Sequence, residues 1–266
     1  VSEWVLSRAF RGAWPARLVH AMRLQDRVAT HVHRIRCERW PASAPALRIA
    51  FASDFHAGPT THPTLLEETA RALAEAKPDV LLFGGDYVLF DARWVDALAP
   101  VLAAHAPLGR FAVLGNHDLW ADDRRIVAAL ERAGVRVLVN EAVHLAPPFD
   151  HVSICGLDEP WTGRPDPRAA FEGARDVRVL LAHAPSAVAL VEDRFDVCIC
   201  GHTHGGHIAL PGGIPIWAVG PLAREHPHGR HENRGRTVIV SRGIGGSESA
   251  LRLFAPPDIR IVDLAG

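Results

Sequence analysis

The 266-residue sequence contains no run approaching the ~18 consecutive apolar residues that a membrane-spanning helix needs. It also lacks the uninterrupted apolar core of a secretory signal peptide, because Arg8, Arg11 and Arg17 break up the N-terminal segment. The chain begins at Val1 rather than Met, which leaves a longer precursor open. A net charge of −1 excludes the broad basic field of a non-specific nucleic-acid binder, and no nucleic-acid partner is expected. Lysine is nearly missing: Lys77 stands alone, and arginine carries the remaining positive charge. Cysteine is scarce too, with Cys37, Cys155, Cys198 and Cys200 forming neither a CxxC pair nor a disulfide-like spacing. Three of the four lie inside apolar runs and read as buried free thiols of a reducing, cytoplasmic compartment.

What is present is ordinary in bulk and unusual in arrangement. An apolar fraction of 48% and a charged fraction of 22% suit a globular chain, and the length fits one large domain. The first forty residues differ from the rest, with eight arginines against Glu3, Asp26 and Glu38, and with Trp4, Phe10, Trp14 and Trp40 among them. Val1, Trp4 and Val5 fall on one helical face, and Pro15 can open a second helix holding Leu18 and Met22. Residues 1–45 are therefore expected as a helical arm. It either packs on the domain with its arginines in water or lies on an anionic membrane, a peripheral contact at the inner membrane surface through residues 1–40.

From Leu47 onward short β-rich apolar runs recur: 47–53, 80–83, 111–114, 135–139, 152–155, 177–181, 197–200, 237–240 and 259–262. Several are apolar throughout, as in strands buried on both faces. Helical patterns lie between them. One opens at Pro63 and repeats Leu66, Ala70 and Leu73; another has Asp122 as N-cap, repeats Ile126, Leu130 and Ala133, and stops at Gly134. The alternation predicts an α/β fold. Toward the C-terminus turns such as Pro211-Gly212-Gly213 predict a second, more antiparallel sheet.

Five of the apolar runs end in residues able to bind metal. They close on Ser53-Asp54-Phe55-His56, Gly84-Gly85-Asp86, Gly115-Asn116-His117-Asp118, Ala182-His183-Ala184-Pro185 and Gly201-His202-Thr203-His204-Gly205-Gly206. In open α/β sheets ligands gather at the carboxyl ends of strands, so neighbouring strands would bring these groups to one edge. Asp54 and His56, like His202 and His204, are two apart, so an extended backbone would point both to one side. Taken singly, each motif is weak. DxH, GD and GNH are common turn sequences, and a lone buried His183 is more often a satisfied core histidine. Five together, in this order and each at a strand end, point to a metal centre.

The series DxH, GD, GNH[D/E], H, GHxH resembles the signature of the calcineurin-like metallophosphoesterases, from about Ala46 to the C-terminus. Gly156-Leu157-Asp158, Gly201–Gly206 and the tail from Ser241 through Arg252 to Asp258 are similar to a bacterial phosphodiesterase branch whose members often work at the membrane or envelope. The resemblance implies two packed mixed β-sheets flanked by helices, a four-layer sandwich over residues 46–266. It further implies one metal held by Asp54, His56, Asp86 and His204, and another by Asp86, Asn116, His183 and His202, with Asp86 bridging. A donor set of nitrogen and oxygen without thiolate suits Mn, Fe, Zn or Co. Two divalent ions would activate a bridging hydroxide for in-line attack on phosphorus. His117, next to a ligand, would act as acid or transition-state stabiliser.

Departures from the pattern narrow the class. Ser/Thr protein phosphatases continue GDYVDRG, whereas here Leu89 and Phe90 follow Val88, which argues against that activity and leaves Asp118 and Asp158 as candidate partners of His117. His207 stands where Gln is usual, and Ala184-Pro185-Ser186 where Glu-Pro-Asp is common. The segment Gly220–Arg236, with four Arg, two Glu and three His, either is solvated or reaches the substrate. The leading reading is a phosphodiesterase of small-molecule or lipid-linked phosphoesters. The alternatives are a pyrophosphatase of a lipid-linked nucleotide sugar such as UDP-diacylglucosamine, and a non-catalytic scaffold of the same fold.

Overall fold

The computed structural model describes residues 6, 8–192, 194–216 and 225–266. Two six-stranded sheets pack face to face. The first runs β1 (Ala29–Arg36), β14 (Asp258–Ala265), β2 (Leu47–Ala52), β3 (Val80–Phe83), β4 (Arg110–Ala112) and β5 (Arg136–Val137). The second runs β12 (Gly229–Asn233), β13 (Arg236–Val240), β9 (Val197–Cys200), β8 (Val177–Leu181), β7 (Val152–Gly156) and β6 (Glu141–His144). The expected four-layer arrangement is present, and the two-residue period of a strand explains how one sequence feeds both faces. In β2, Leu47, Ile49 and Phe51 enter the core between the sheets, while Ala50 and Ala52 face the helices. In β9, Val197 and Ile199 take the inter-sheet side, and Cys198 and Cys200 the outer side, where the thiols are free and buried.

Helices close the outer faces. Helix α1 spans Trp14–Ala21, and α2 spans Pro63–Ala76. The latter is capped by His62, which accepts the Thr64 N–H, and it buries Leu65, Leu66 and Leu73 against the first sheet. After a short helix α3 (Ala99–Leu102) and α4 (Asn116–Trp120), α5 (Asp123–Arg132) starts at Asp122, whose carboxylate accepts the Arg125 N–H. Its Ile126 and Leu130 join the same core. Both helices predicted from Pro63 and Asp122 are found, the second with its predicted cap.

Three features differ from the sequence reading. Residues 1–45 are not a helical arm throughout. Ala29–Arg36 is a strand, parallel to β14 at the sheet edge, and Cys37 and Trp40 are buried between the sheets. Its inward and outward positions alternate strictly, but histidine and arginine occupy most of them and hide the period. Val1, Trp4 and Val5 lie outside the described residues. Helix α1 docks through buried Pro15 and Ala16 and leaves Trp14, Leu18 and Met22 exposed, which neither simple picture of the arm foresaw. The second sheet is parallel through β13, β9, β8 and β7 and antiparallel only in its two edge pairs.

Candidate metal centre

Strands β2, β3 and β4 are parallel neighbours in one sheet, and β8 and β9 in the other. Their carboxyl ends meet at the same end of the sandwich, so the five motifs converge from two sheets rather than from one edge. The atoms that meet are buried and close. His56 Nε2 lies 3.0 Å from His204 Nε2, and His204 Nε2 lies 3.6 Å from Asp54 Oδ1. On the other side His183 Nε2 lies 3.0 Å from His202 Nδ1 and 3.2 Å from Asn116 Oδ1. Asp86 Oδ2 stands between the groups, 3.5 Å from His56 Nε2 and 3.3 Å from His183 Nε2. All seven residues predicted as ligands are thus assembled. Donors about 2.1 Å from a shared ion stand roughly 3.0–3.4 Å apart, and the separations here fall close to that range.

The backbone that achieves this is not the extended one expected from the two-residue spacing. Asp54, His56, Asp86, His202 and His204 all have positive φ, between 40° and 71°. Non-glycine residues seldom adopt this conformation, and a cluster of them marks a place where tertiary contacts over-determine the chain. The contacts are visible. Asp54 accepts the His202 N–H at 2.9 and 3.1 Å and the Ser53 hydroxyl at 2.5 Å. Gly201 passes so close that a Cβ there would collide with Asp54 and Ser53. Asp118 accepts the N–H groups of Asp86, Tyr87 and Gly115, pinning the β3 loop to the start of α4.

Asp158, the other candidate partner of His117, accepts the N–H groups of Glu159 and Arg164. Both carboxylates brace loops. His117 donates its own N–H to Asp86 Oδ1 at 2.9 Å, and its ring lies edge-on to His56 and Trp120, with centroids 4.7 and 4.9 Å away. Its ring nitrogen comes within 4.8 Å of donor atoms of both His56 and Asp86.

Burial sets the charge states. It holds His56 and His204 well below the usual imidazole range and His202 down to about 3, so all three present neutral rings, the ligating form. Burial also pushes Asp54 up to about 6. Asp86 and His183 behave oppositely. Burial opposes the charge on each, yet their mutual attraction wins, holding Asp86 well down and His183 up at about 10. A buried carboxylate that draws a proton onto the imidazole beside it is a place made for a cation. With neutral imidazoles, two carboxylates and a carboxamide as donors, the residues fit divalent metal ions.

A profile of the calcineurin-like phosphoesterase family matches residues 47–206. The chain belongs to this family. It is 33% identical to phosphodiesterase YaeI of Escherichia coli K12, over 84% of this chain and 83% of that one. It is 32% identical to an uncharacterised metallophosphoesterase of Aquifex aeolicus, over 88% and 90%. It is also 27% identical to UDP-2,3-diacylglucosamine pyrophosphatase LpxG of Chlamydia trachomatis, over 80% and 82%. The protein is accordingly a metal-dependent phosphoesterase.

Sequence reasoning missed three parts of the phosphoesterase site. Trp120 and Trp161 wall a cavity of about 440 Å³ over the donors, Trp161 edge-on to His202 at 4.4 Å. Trp120 could have been found, since it follows His117 by three residues on one helical turn. Trp161 carries no local signal. The third is Arg252, noted only as part of a family-like tail. It is buried, and its guanidinium donates to the carbonyls of His204 at 3.1 Å and of Gly243 and Gly245 at 3.0 Å each, as well as to that of Arg242. The Ile244 and Gly245 N–H groups in turn reach the Asp54 carbonyl. One cation thereby ties the turn holding His204 to the loop holding Asp54.

Replacing Arg252 with Met takes a charged donor from all four carbonyls, leaving those of His204 and Gly243 only the N–H groups of His207 and Asp258. Stability is expected to fall by about 2–4 kcal/mol and metal affinity by roughly 10–100-fold. Arg252→Lys should recover part of both. Thermal unfolding and metal titration on the same preparations check this, and unchanged metal affinity in the Met variant would refute it.

Proposed function

We propose that this phosphoesterase hydrolyses a phosphodiester using two divalent ions. One would be held by Asp54, His56, Asp86 and His204, the other by Asp86, Asn116, His183 and His202. The observation that carries this reading is the placement of Asp86 Oδ2 within 3.5 Å of a histidine from each group. The ions, when bound, would supply an activated water and positive charge at the phosphoryl oxygens. The chain's own residues do the rest. The neutral imidazoles and the two carboxylates fix positions, and Asp118 and Arg252 keep the loops from spreading. His117, placed beside Asp86 and open to the cavity, is the group to hand a proton to the leaving oxygen. Trp120 and Trp161 narrow the entrance and exclude water around the ester.

The name of the Escherichia coli relative, a phosphodiesterase, supports a diester substrate. That of the chlamydial relative supports a second reading, cleavage of a lipid-linked nucleotide diphosphate. Exposed apolar side chains at the cavity rim, including Ile208 and Ile216, favour a substrate with a lipid part under either reading. Under both readings the protein works in the cytoplasm, with peripheral contact to the inner membrane surface through the exposed face of helix α1. No helix among the described residues is long and apolar enough to cross a membrane. Hydrolysis of phosphomonoesters, phosphodiesters and pyrophosphates should be compared with Mn, Fe, Zn and Co supplied in turn. Phosphodiesters are expected to be preferred. A stronger preference for the diphosphate bond would select the second reading, and no turnover with any metal would leave a scaffold.

A further inference from the structure

Immediately after the turn that holds His204, the sequence from Ile208 to Ala223 runs sixteen residues without a charged side chain, in a chain that is otherwise 22% charged. Its described part is a small antiparallel hairpin, β10 (Ala209–Leu210) and β11 (Ile214–Pro215), turned by Pro211-Gly212-Gly213. This is where apolar residues should be hidden, yet they are not. Leu210, Ile214 and Ile216 are 51%, 61% and 62% exposed. The hairpin is also continuous with the catalytic cavity. Ile208 and Ile216 line it, the Ile216 N–H donates to the Ile208 carbonyl, and Ile208 bridges to Leu253, which is exposed together with Phe254.

We propose that this hairpin enters a lipid surface and that the hydrocarbon part of a lipid phosphoester lies along it while the phosphate reaches the metal centre. Exposed apolar patches of this kind mark a partner. A protein partner would need hydrogen bonds at the rim of its interface, about one per 100–200 Å². From Ile208 to Ile216 there is no polar side chain at all, so the surface fits hydrocarbon better than protein. In sequence the uncharged stretch ends at Arg224, a basic residue next to an apolar run as anionic lipid headgroups favour. Helix α1 offers a second exposed apolar face in the same neighbourhood. The Ala16 N–H donates to the Pro59 carbonyl, the next residue Thr60 donates to Gly246, and the neighbouring Ser247 lines the cavity. The lipid contact itself does not depend on the phosphodiesterase reading; the seating of the substrate does.

The test uses the full chain and vesicles of equal parts phosphatidylcholine and phosphatidylglycerol. Wild type should sediment with them, and part of that binding should survive high salt, because apolar contact is not screened. Leu210→Gln/Ile214→Glu changes two exposed side chains and should lower vesicle partition by about tenfold or more. The ratio of turnover on a vesicle-borne lipid phosphodiester to turnover on bis(4-nitrophenyl) phosphate should fall by a similar factor. A wild type that stays in the supernatant would overturn the proposal. So would a double variant that sediments like wild type, or one that changes only the oligomeric state, which would make the hairpin a contact between copies. Vesicle binding lost in the variant, with no ester hydrolysed by either protein, would uphold the lipid contact and refute the phosphodiesterase reading.

Discussion

Asp86→Asn is expected to lose more bound metal and more activity than any other single exchange among the seven candidate ligands. Asp86 alone faces both groups, with Oδ2 3.5 Å from His56 and 3.3 Å from His183. The amide keeps the shape of the side chain but removes its negative charge, and with it the charge that offsets repulsion between two nearby cations. It also threatens the other oxygen, since Oδ1 accepts the His117 N–H and an NH₂ group there would oppose it. Turnover should drop roughly 10³-fold or more, in line with the several kcal/mol that metal ions contribute to charge stabilisation. Asn116→Ala, a neutral donor on one side only, should cost less. Elemental analysis beside kinetics decides the matter. At most one ion in fully reconstituted wild type, or both ions retained in Asp86→Asn, would end the bridging scheme.

His117→Ala should keep its metal and its thermal stability while losing roughly 10²–10⁴-fold in kcat, the range of a positioned acid–base group. The geometry makes metal content the sharper readout, because the ring nitrogen lies within 4.8 Å of donors of His56 and Asp86. Were His117 a ligand, the alanine variant would lose metal and activity together. If it is an acid, the loss grows with the basicity of the leaving oxygen and is smaller for nitrophenyl esters. An equal loss for both ester types would mean that His117 acts through its charge on the phosphoryl group. No loss on either would remove it from the mechanism.

Much of this centre could be read from the chain because catalysis here sits where strands stop. An apolar run such as Val80–Phe83 or Val197–Cys200 announces a buried strand, and whatever follows it must emerge at the sheet's edge. Local signals of the same strength marked the helices opening at Pro63 and after Asp122. What was not legible depended on partners distant in sequence. Ala29–Arg36 is a strand because β14, more than two hundred residues later, offers it an edge, and its own histidines and arginines blur the alternation. The positive φ values at Asp54, His56, Asp86, His202 and His204 arise where loops from two sheets press on one another. The spacing of two suggested an extended chain, and crowding chose otherwise. Arg252 reads as an ordinary charged residue until four carbonyls are seen to converge on it.

An ion held by donors from both sheets would be a staple as well as a catalyst. His56 and His204 are 148 residues apart, and a bond from each to a common ion would close a loop over more than half of the chain. Closing so long a loop restricts the unfolded ensemble as a covalent cross-link would. The melting temperature should therefore climb with free metal concentration, and a chelator should loosen the seam between the sheets before it disturbs either sheet alone. Resistance to proteolysis would then follow metal supply, and a metal-starved protein would be cleared sooner than a loaded one.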